Sequence, residues 1–417
     1  MMRKRKKNIP SVAKPRFTWP HRQRRRPLVV GAMPHERMSD LRQSGPALGA
    51  APGRIQTVQG GERPSPLMSQ QGGCSWRQPG LAERYSVSVS TIVPDRIAII
   101  IVTYNRAVLL GELMESVLAM TTPPWAVVVV DNASSDATPA VLAEAALAFE
   151  KCAPDTLLVI LRLERNVGGA GGFSEGVRAA LEEGAEWTWL MDDDVEVIPE
   201  ALERLAPWMT RFSCLHGRRY DVDGSPFFWQ ARFNGFLGVP LPYTRRAFNR
   251  EGYAITNSGT FEGMMIRADI VRRIGLPDPR FFISWDDAVY AWLASRQTQV
   301  AYVNTFVLRR KRPQRQVNLG LRHLNDSSPL ARYHVMRNRA YVAKYFASEG
   351  QLHPVGFSIG TALTFGKEVF RLVVVEHTLR GTTDLFRGVR DSRRLWREGT
   401  WRPMNPADVP AAPADRG

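Results

Sequence analysis

The chain has 417 residues, room for one large or two ordinary domains and a substantial buried core. Its formal net charge of +16 is unevenly placed: residues 1–95 carry 17 Lys and Arg against 5 Asp and Glu, so the basic character does not mark the folded part as a nucleic-acid binder. No run approaches the roughly 18 apolar residues of a membrane span, and Arg3 to Lys7 lack the apolar segment of a secretory signal.

Three cysteines, Cys74, Cys152 and Cys214, lack metal-ligand or redox spacing and fit a reduced, cytoplasmic setting. Residues 1–95 are rich in Arg, Pro, Gly, Ser and Gln without periodicity and read as a disordered basic tail. Order is expected from Ile97, where Ile97 to Val102 is a continuous apolar run suited to a strand buried on both faces. Thr103 to Arg106 forms a turn, and Leu109, Leu110, Leu113, Val117 and Leu118 recur at helical spacing. Ala126 to Val130 is a second buried strand ending at Asp131-Asn132, followed by a helix with Asp136 or Thr138 as cap.

Leu157 to Leu161 is a third strand, followed by a Gly-rich turn, a helix to about Glu183 and a strand from Trp187 to Met191. A helix is expected from near Pro199, irregular chain over Phe212 to Tyr253, and a strand over Thr256 to Ile266. Further helices are expected over Ala268 to Ile274, Ala288 to Ser295 and Leu330 to Phe346. Residues 355–375 are apolar but interrupted by Lys367, Glu368 and Arg371, as in an amphipathic helix that is interfacial or packed on the main domain. Alternating β and α units give a doubly wound α/β sheet with ligands at the carboxyl ends of its strands. The expected division is a tail over 1–95, an α/β domain over 96–320 and a helical segment over 321–417.

Three polar clusters sit where such a sheet carries its chemistry. Asp192-Asp193-Asp194 ends the fourth strand, and three adjacent carboxylates raise one another's pKa unless a cation neutralises them. A hard divalent ion such as Mg2+ or Mn2+ does so with one or two carboxylates plus substrate phosphates; the alternative is a solvated acidic turn. Asn166 to Phe173 reads Asn-Val-Gly-Gly-Ala-Gly-Gly-Phe. Gly168 and Gly169 would allow a phosphate or sugar close to the backbone, or simply form a flexible turn capping a helix. Trp285-Asp286-Asp287 offers a separate carboxylate able to take a proton from an attacking hydroxyl, or a pair that favours a helix dipole.

Residues 97 to about 345 resemble the family 2 glycosyltransferases, which have the GT-A fold. The resemblance rests on ordered landmarks: Ile101 to Asn105, Val130 to Asn132, Asn166 to Phe173, Asp192 to Asp194, Gly259 to Phe261, Phe281 to Asp287 and Arg337 to Arg339. The Gly-rich stretch, the Asp triplet and the Trp-Asp-Asp look most like galactofuranosyltransferases of actinobacterial cell-wall synthesis; dTDP-sugar rhamnosyltransferases share the outline.

The resemblance implies an inverting, metal-dependent transfer from a UDP-sugar donor to a lipid-linked or polysaccharide acceptor, in the cytoplasm or peripheral at the inner face of the plasma membrane. It implies that Thr103 and Asp131 contact uracil and ribose, and that Arg165 and Asn166 lie beside the nucleotide. Asp192 and Asp194 would hold Mg2+ or Mn2+, with Asp193 near the ribose or donor sugar. Asp287 would be the catalytic base with Asp286 its neighbour and reserve, and Trp285 would pack on an acceptor sugar. Two departures stand out. Val289 replaces an acidic residue common in relatives, and Leu308 to Arg312 has no metal-ligating histidine; either Arg309 or Arg310 helps neutralise the diphosphate instead, or the stretch is a solvated basic loop near the membrane surface. A relative that binds glycan without catalysis is the remaining alternative.

Overall fold

A computed structural model describes residues 28–29, 93–227, 231–243, 248–313, 316–318, 323–325 and 328–411. The tail expected over 1–95 lies almost wholly outside the described residues. Within it, strand β1 (Leu28–Val29) pairs antiparallel with the sheet edge.

The first half alternates as the apolar runs dictate. Its elements are β2 (Ile97–Thr103), α1 (Ala107–Leu118), β3 (Ala126–Asp131), α2 (Thr138–Cys152), β4 (Leu157–Arg162), α3 (Gly168–Glu183) and β5 (Trp187–Asp192). Strands β4, β3, β2 and β5 are neighbours and run parallel. Side chains alternate between faces along a strand. Ile97, Ile99 and Ile101 therefore pack under α1 and α2, while Ala98, Ile100 and Val102 pack under α3. Gly176 of α3 sits where a Cβ would lie 2.5 Å from Ile100, so glycine sets the helix-to-sheet distance there.

The second half is less regular. It continues with β6 (Val195–Val197), α4 (Ala201–Met209), β7 (Cys214–Tyr220), β8 (Pro226–Phe227), β9 (Ala231–Asn234), β10 (Val239–Pro242), β11 (Tyr253–Thr256) and β12 (Met264–Arg267). After α5 (Ala268–Ile274) and α6 (Asp286–Ser295) comes the long β13 (Val300–Arg310), then the short pair β14 (Gln316–Asn318) and β15 (His323–Asn325). The main sheet runs β1-β4-β3-β2-β5-β12-β7-β13-β11, with β12 antiparallel to both neighbours. The mixed α/β sheet with helices on both faces agrees with the sequence reading.

Four local expectations differ. Among the described residues, the stretch 212–253 holds β7 to β10 and the start of β11, and Thr256 to Ile266 is split between β11 and β12. Leu308 to Arg310 ends a strand and is not a loop. Cys152 is disulfide-bonded, against the expectation of reduced thiols, whereas Cys214 is a buried free thiol.

The C-terminal helices α7 (Pro329–Arg337), α8 (Arg339–Ser348), α9 (Pro354–Phe370) and α10 (Thr382–Arg397) follow. Tyr341, Val342, Tyr345 and Phe346 of α8 share an apolar core with Phe281 and with Val289 and Trp292 of α6. This packing ties the helical segment to the loop that carries Asp286 and Asp287.

Candidate active site

The register of the parallel strands brings the first acidic groups to one sheet edge. Thr103 pairs with Asp131 and Val102 with Asp192, so β2, β3 and β5 all end together. The loops beyond them are stitched to one another. Asn105, at φ 53°, accepts the Ser135 N–H at 2.7 Å, and Asp136 accepts the Ala107 N–H at 3.0 Å. Asp131 is buried, accepting the Ser134 N–H at 2.8 Å and facing Arg162 at 3.1 Å. Arg162, absent from the sequence reading, thus stands next to Asp131, whereas Arg165 is exposed.

The three aspartates are not equivalent. Asp193 is buried, receives the Thr103 hydroxyl at 2.7 Å and pairs with Arg106 at 2.6 Å. Thr103 and Asp193 therefore hold one another at the floor of the strand ends. Burial pushes the Asp193 carboxyl up, and Arg106 and Thr103 pull it partly back. Asp194 is met by Arg106 at 3.3 Å and Arg312 at 3.9 Å. Asp192 keeps the least compensation: burial first, then Asp194 and Glu262, raise it well above the usual carboxylate range. Its side chain retains some solvent contact, so the desolvation is partial.

Glu262, just before β12, links the two acidic clusters electrostatically, because its charge acts on both Asp192 and Asp287. It is held by two buried arginines, Arg219 at 3.1 Å and Arg310 at 3.3 Å. Arg310 also faces Asp221 at 3.6 Å, and exposed Arg309 pairs with Glu196 at 3.7 Å. The expected diphosphate partners Arg309 and Arg310 are thus engaged elsewhere, because strand alternation turns one outward and one inward. Arg312, beyond the strand end, is the one that approaches the triplet. The Lys311 N–H anchors this turn by donating to the Asp194 carbonyl at 2.9 Å.

The Gly-rich stretch is the first two turns of α3 and not a loose turn. Asn132 holds it from β3, accepting the Val167 N–H at 2.8 Å and donating to the Gly168 carbonyl at 3.0 Å. Asn166 accepts the Gly168 N–H at 2.8 Å. Gly168 has φ 76°, and a Cβ there would lie 2.1 Å from the Phe282 carbonyl oxygen. That same oxygen accepts the Ala170 N–H at 3.1 Å. Gly168 is therefore spent on packing against the Phe281 to Asp287 loop. Gly169 has nothing within 4 Å of a Cβ position and leaves room for a ligand.

The loop itself is strained. Phe282, Ser284 and Trp285 all have positive φ, at 66°, 71° and 73°. Such conformations cost about 1–3 kcal/mol each and persist only where surroundings impose them. Asn338, fully buried between α7 and α8, imposes this one: its amide N–H groups reach the carbonyls of Phe281, Ile283 and Ser284 at 2.9, 2.9 and 3.0 Å. Arg337 adds a bond to the Arg280 carbonyl at 2.6 Å. Trp285 donates its indole N–H to the Val335 carbonyl at 2.9 Å, with Arg339 stacked 5.2 Å from its ring. Trp285 thus anchors the loop to the C-terminal helices.

The strained turn delivers Asp286 and Asp287 to the start of α6, where Asp287 accepts the Ala288 N–H at 2.7 Å. Burial raises both carboxyls above their ordinary value, and the charge of Asp287 further opposes ionisation of Asp286. Arg219 pulls Asp287 back toward ionisation while Glu262 opposes it. One cluster is thus suited to a cation, and the other holds a carboxylate with raised proton affinity. Among the described residues, no three His, Cys, Asp or Glu side chains converge tightly enough to hold a metal unaided. Asp192 and Asp194 fit a divalent ion only if a diphosphate and water complete its shell.

A mixed α/β sheet with acidic clusters at its carboxyl edge defines the class, and residues 98–275 match the model of glycosyl transferase family 2. That match takes in less than half of the chain. The chain is 32% identical over 200 residues to galactofuranosyltransferase GlfT1 of Mycolicibacterium smegmatis, covering 45% of this chain and 61% of that one. Against GlfT1 of Mycobacterium tuberculosis (strain ATCC 25618 / H37Rv) the identity is 30% over 198 residues, covering 45% and 60%. The chain thus spans about three fifths of the length of these relatives. The solved Staphylococcus aureus TarS 1-349 in complex with UDP-GlcNAc superposes with a TM-score of 0.47 at 18% identity, over 72% of this chain and 81% of that one.

Proposed function

We propose that this protein is an inverting glycosyltransferase that moves galactofuranose from a UDP-linked donor to a hydroxyl of a lipid-linked or polysaccharide acceptor. The observation that carries this reading is the pair of acidic clusters with different electrostatics: Asp192 lacks a sufficient counter-charge, and Asp287 has a raised proton affinity. The 32% identity to a galactofuranosyltransferase supports the sugar. The domain limits 96–320 and 321–417 belong to the same proposal.

The donor nucleotide would lie across the ends of β2 and β3, near Thr103, Asp131, Arg165 and Asn166, with its diphosphate approaching the open face at Gly169. Mg2+ or Mn2+ between Asp192 and Asp194 would supply charge compensation to the diphosphate. Arg106, Asp193 and Thr103 keep the triplet in position, and Arg312 adds positive charge beside it. Asp287 takes the proton of the acceptor hydroxyl as its oxygen bonds to the anomeric carbon, and the bond to the diphosphate breaks on the opposite side. Burial and the charge of Glu262 raise the proton affinity of Asp287, and Arg219 draws it back toward ionisation.

The test is UDP release by purified protein with UDP-galactofuranose, Mn2+ and a lipid-linked disaccharide acceptor. The reading requires release that depends on metal and acceptor and is lost in Asp287→Ala. Release from dTDP-rhamnose alone would reassign the donor, and nucleotide binding without release from either sugar would make this a non-catalytic binder.

A further inference from the structure

We infer that α9 and α10 form a docking face for an anionic lipid bilayer, with α9 seated on hydrocarbon and α10 on headgroups. The starting observation is that α9 and the π-helical turn after it (Arg371–Val375) are inverted relative to a water-facing helix. The charged side chains of Glu368 and Arg371 point inward, and Lys367 is only partly exposed. Glu368 is fully buried and pairs with Arg371 at 2.7 Å, with Lys367 at 3.1 Å and, more loosely, with buried Arg332 at 3.9 Å.

Their apolar side chains point outward. Val355, Ile359, Leu363, Phe370, Val373 and Val374 are between 41% and 73% exposed and recur at helical spacing. Ser358, Ala362 and Gly366 fill the positions between them, so no exposed residue from Pro354 to Val374 carries a charge. Burying ions while presenting a stripe of branched aliphatics to water is unfavourable on both counts. The arrangement is favourable where the stripe meets hydrocarbon.

The neighbouring helix states which surface that is. Helix α10 packs on α9 through Phe365 and Phe386, with ring centroids 5.5 Å apart. Its exposed residues include Arg387, Arg390, Arg393, Arg394 and Arg397, so the helix next to the apolar stripe is strongly basic, although Arg390 pairs with Asp391 at 3.0 Å. Trp396, 47% exposed, adds an aromatic ring suited to the headgroup level. An apolar stripe flanked by arginines is how a helix lies in the interface of an anionic membrane without crossing it. Among the described residues no helix is long and apolar enough to span a bilayer. A second copy of the chain would cover the stripe but would set basic rows near one another, so the charge favours lipid.

The test is flotation of the full chain with vesicles of phosphatidylcholine alone and of phosphatidylcholine mixed with phosphatidylglycerol, with and without high salt. The expected result is salt-sensitive binding to the anionic vesicles only. Arg394→Glu should weaken partition by about fivefold or more, and Leu363→Glu should reduce it further by placing a charge in the apolar stripe. Circular dichroism of both variants should match the parent. Absence of flotation, flotation unaffected by either variant, or a dimer in sedimentation that Leu363→Glu converts to monomer would each overturn the inference. The inference stands apart from the transfer reaction, because UDP release toward a soluble acceptor in detergent does not require docking.

Discussion

Asn338 offers the sharpest test of how the proposed base is held. Its amide supplies two hydrogens to three loop carbonyls, at 2.9, 2.9 and 3.0 Å, in a fully buried position. Three acceptors around one amide select its nitrogen end, so the loop is held by donation from that nitrogen. Two net hydrogen bonds are worth about 2 kcal/mol, rising to about 4 kcal/mol if the freed carbonyls stay dry. The clasp thus offsets part of the strain of the three positive-φ residues, which at about 1–3 kcal/mol each exceeds it except at the low end.

Asn338→Ala should therefore lower urea-unfolding stability by about 2–4 kcal/mol and reduce transfer more than donor binding, as the Asp286-Asp287 turn relaxes. Asn338→Asp keeps the shape but turns a donor into an acceptor facing three oxygens. Its carboxyl would have a folded pKa above the unfolded one, so whatever stability it retains is present at low pH and lost as pH rises through the folded value. Unfolding curves near pH 5 and near pH 8 should show Asp matching or exceeding Ala at the first and falling below it at the second. If both variants stay within about 0.5 kcal/mol of the parent at either pH, the clasp is not what holds the loop.

Three further outcomes are expected. Gly168→Ala combines a positive φ with a 2.1 Å approach to the Phe282 oxygen and should destabilise by about 2 kcal/mol or more, whereas Gly169→Ala should fold normally and weaken donor binding; equal thermal midpoints for the two would refute the assignment. Asp192→Asn should raise the metal-free melting temperature near pH 8 but not near pH 4, because a raised carboxyl contributes stability below its unfolded pKa and loses it as pH rises; a gain of stability with Mn2+ and UDP should appear in the parent and vanish in the variant. The acidic limb of the transfer rate should lie above the ordinary carboxylate range near pH 4, since Asp287 must ionise to accept a proton; a rate independent of pH from 4 to 8 would remove it as base.

The chain by itself determined the parallel half of the sheet, because Ile97 to Val102, Ala126 to Val130 and Leu157 to Leu161 are short unbroken apolar runs bounded by turn residues, and the first two are buried along their whole length. It also singled out the acidic and Gly-rich clusters, since turn chemistry and like-charge crowding are local properties of sequence. It could not reveal β7, whose Cys-Leu-His-Gly-Arg-Arg-Tyr sequence has no strand periodicity and is a strand only because β12 and β13 flank it. Nor could it reveal that Glu262 stands between the two acid clusters, or that Arg312 and not Arg309 or Arg310 approaches the triplet. Those facts depend on which side of a strand each residue faces once its neighbours are fixed. The exposed apolar face of α9 belongs to the same class: sequence showed charges interrupting an apolar run, and only packing against Arg332 and Arg371 decided that the charges turn inward. Asn338 lies more than fifty residues from the loop it clasps, so its role exists only in the folded chain.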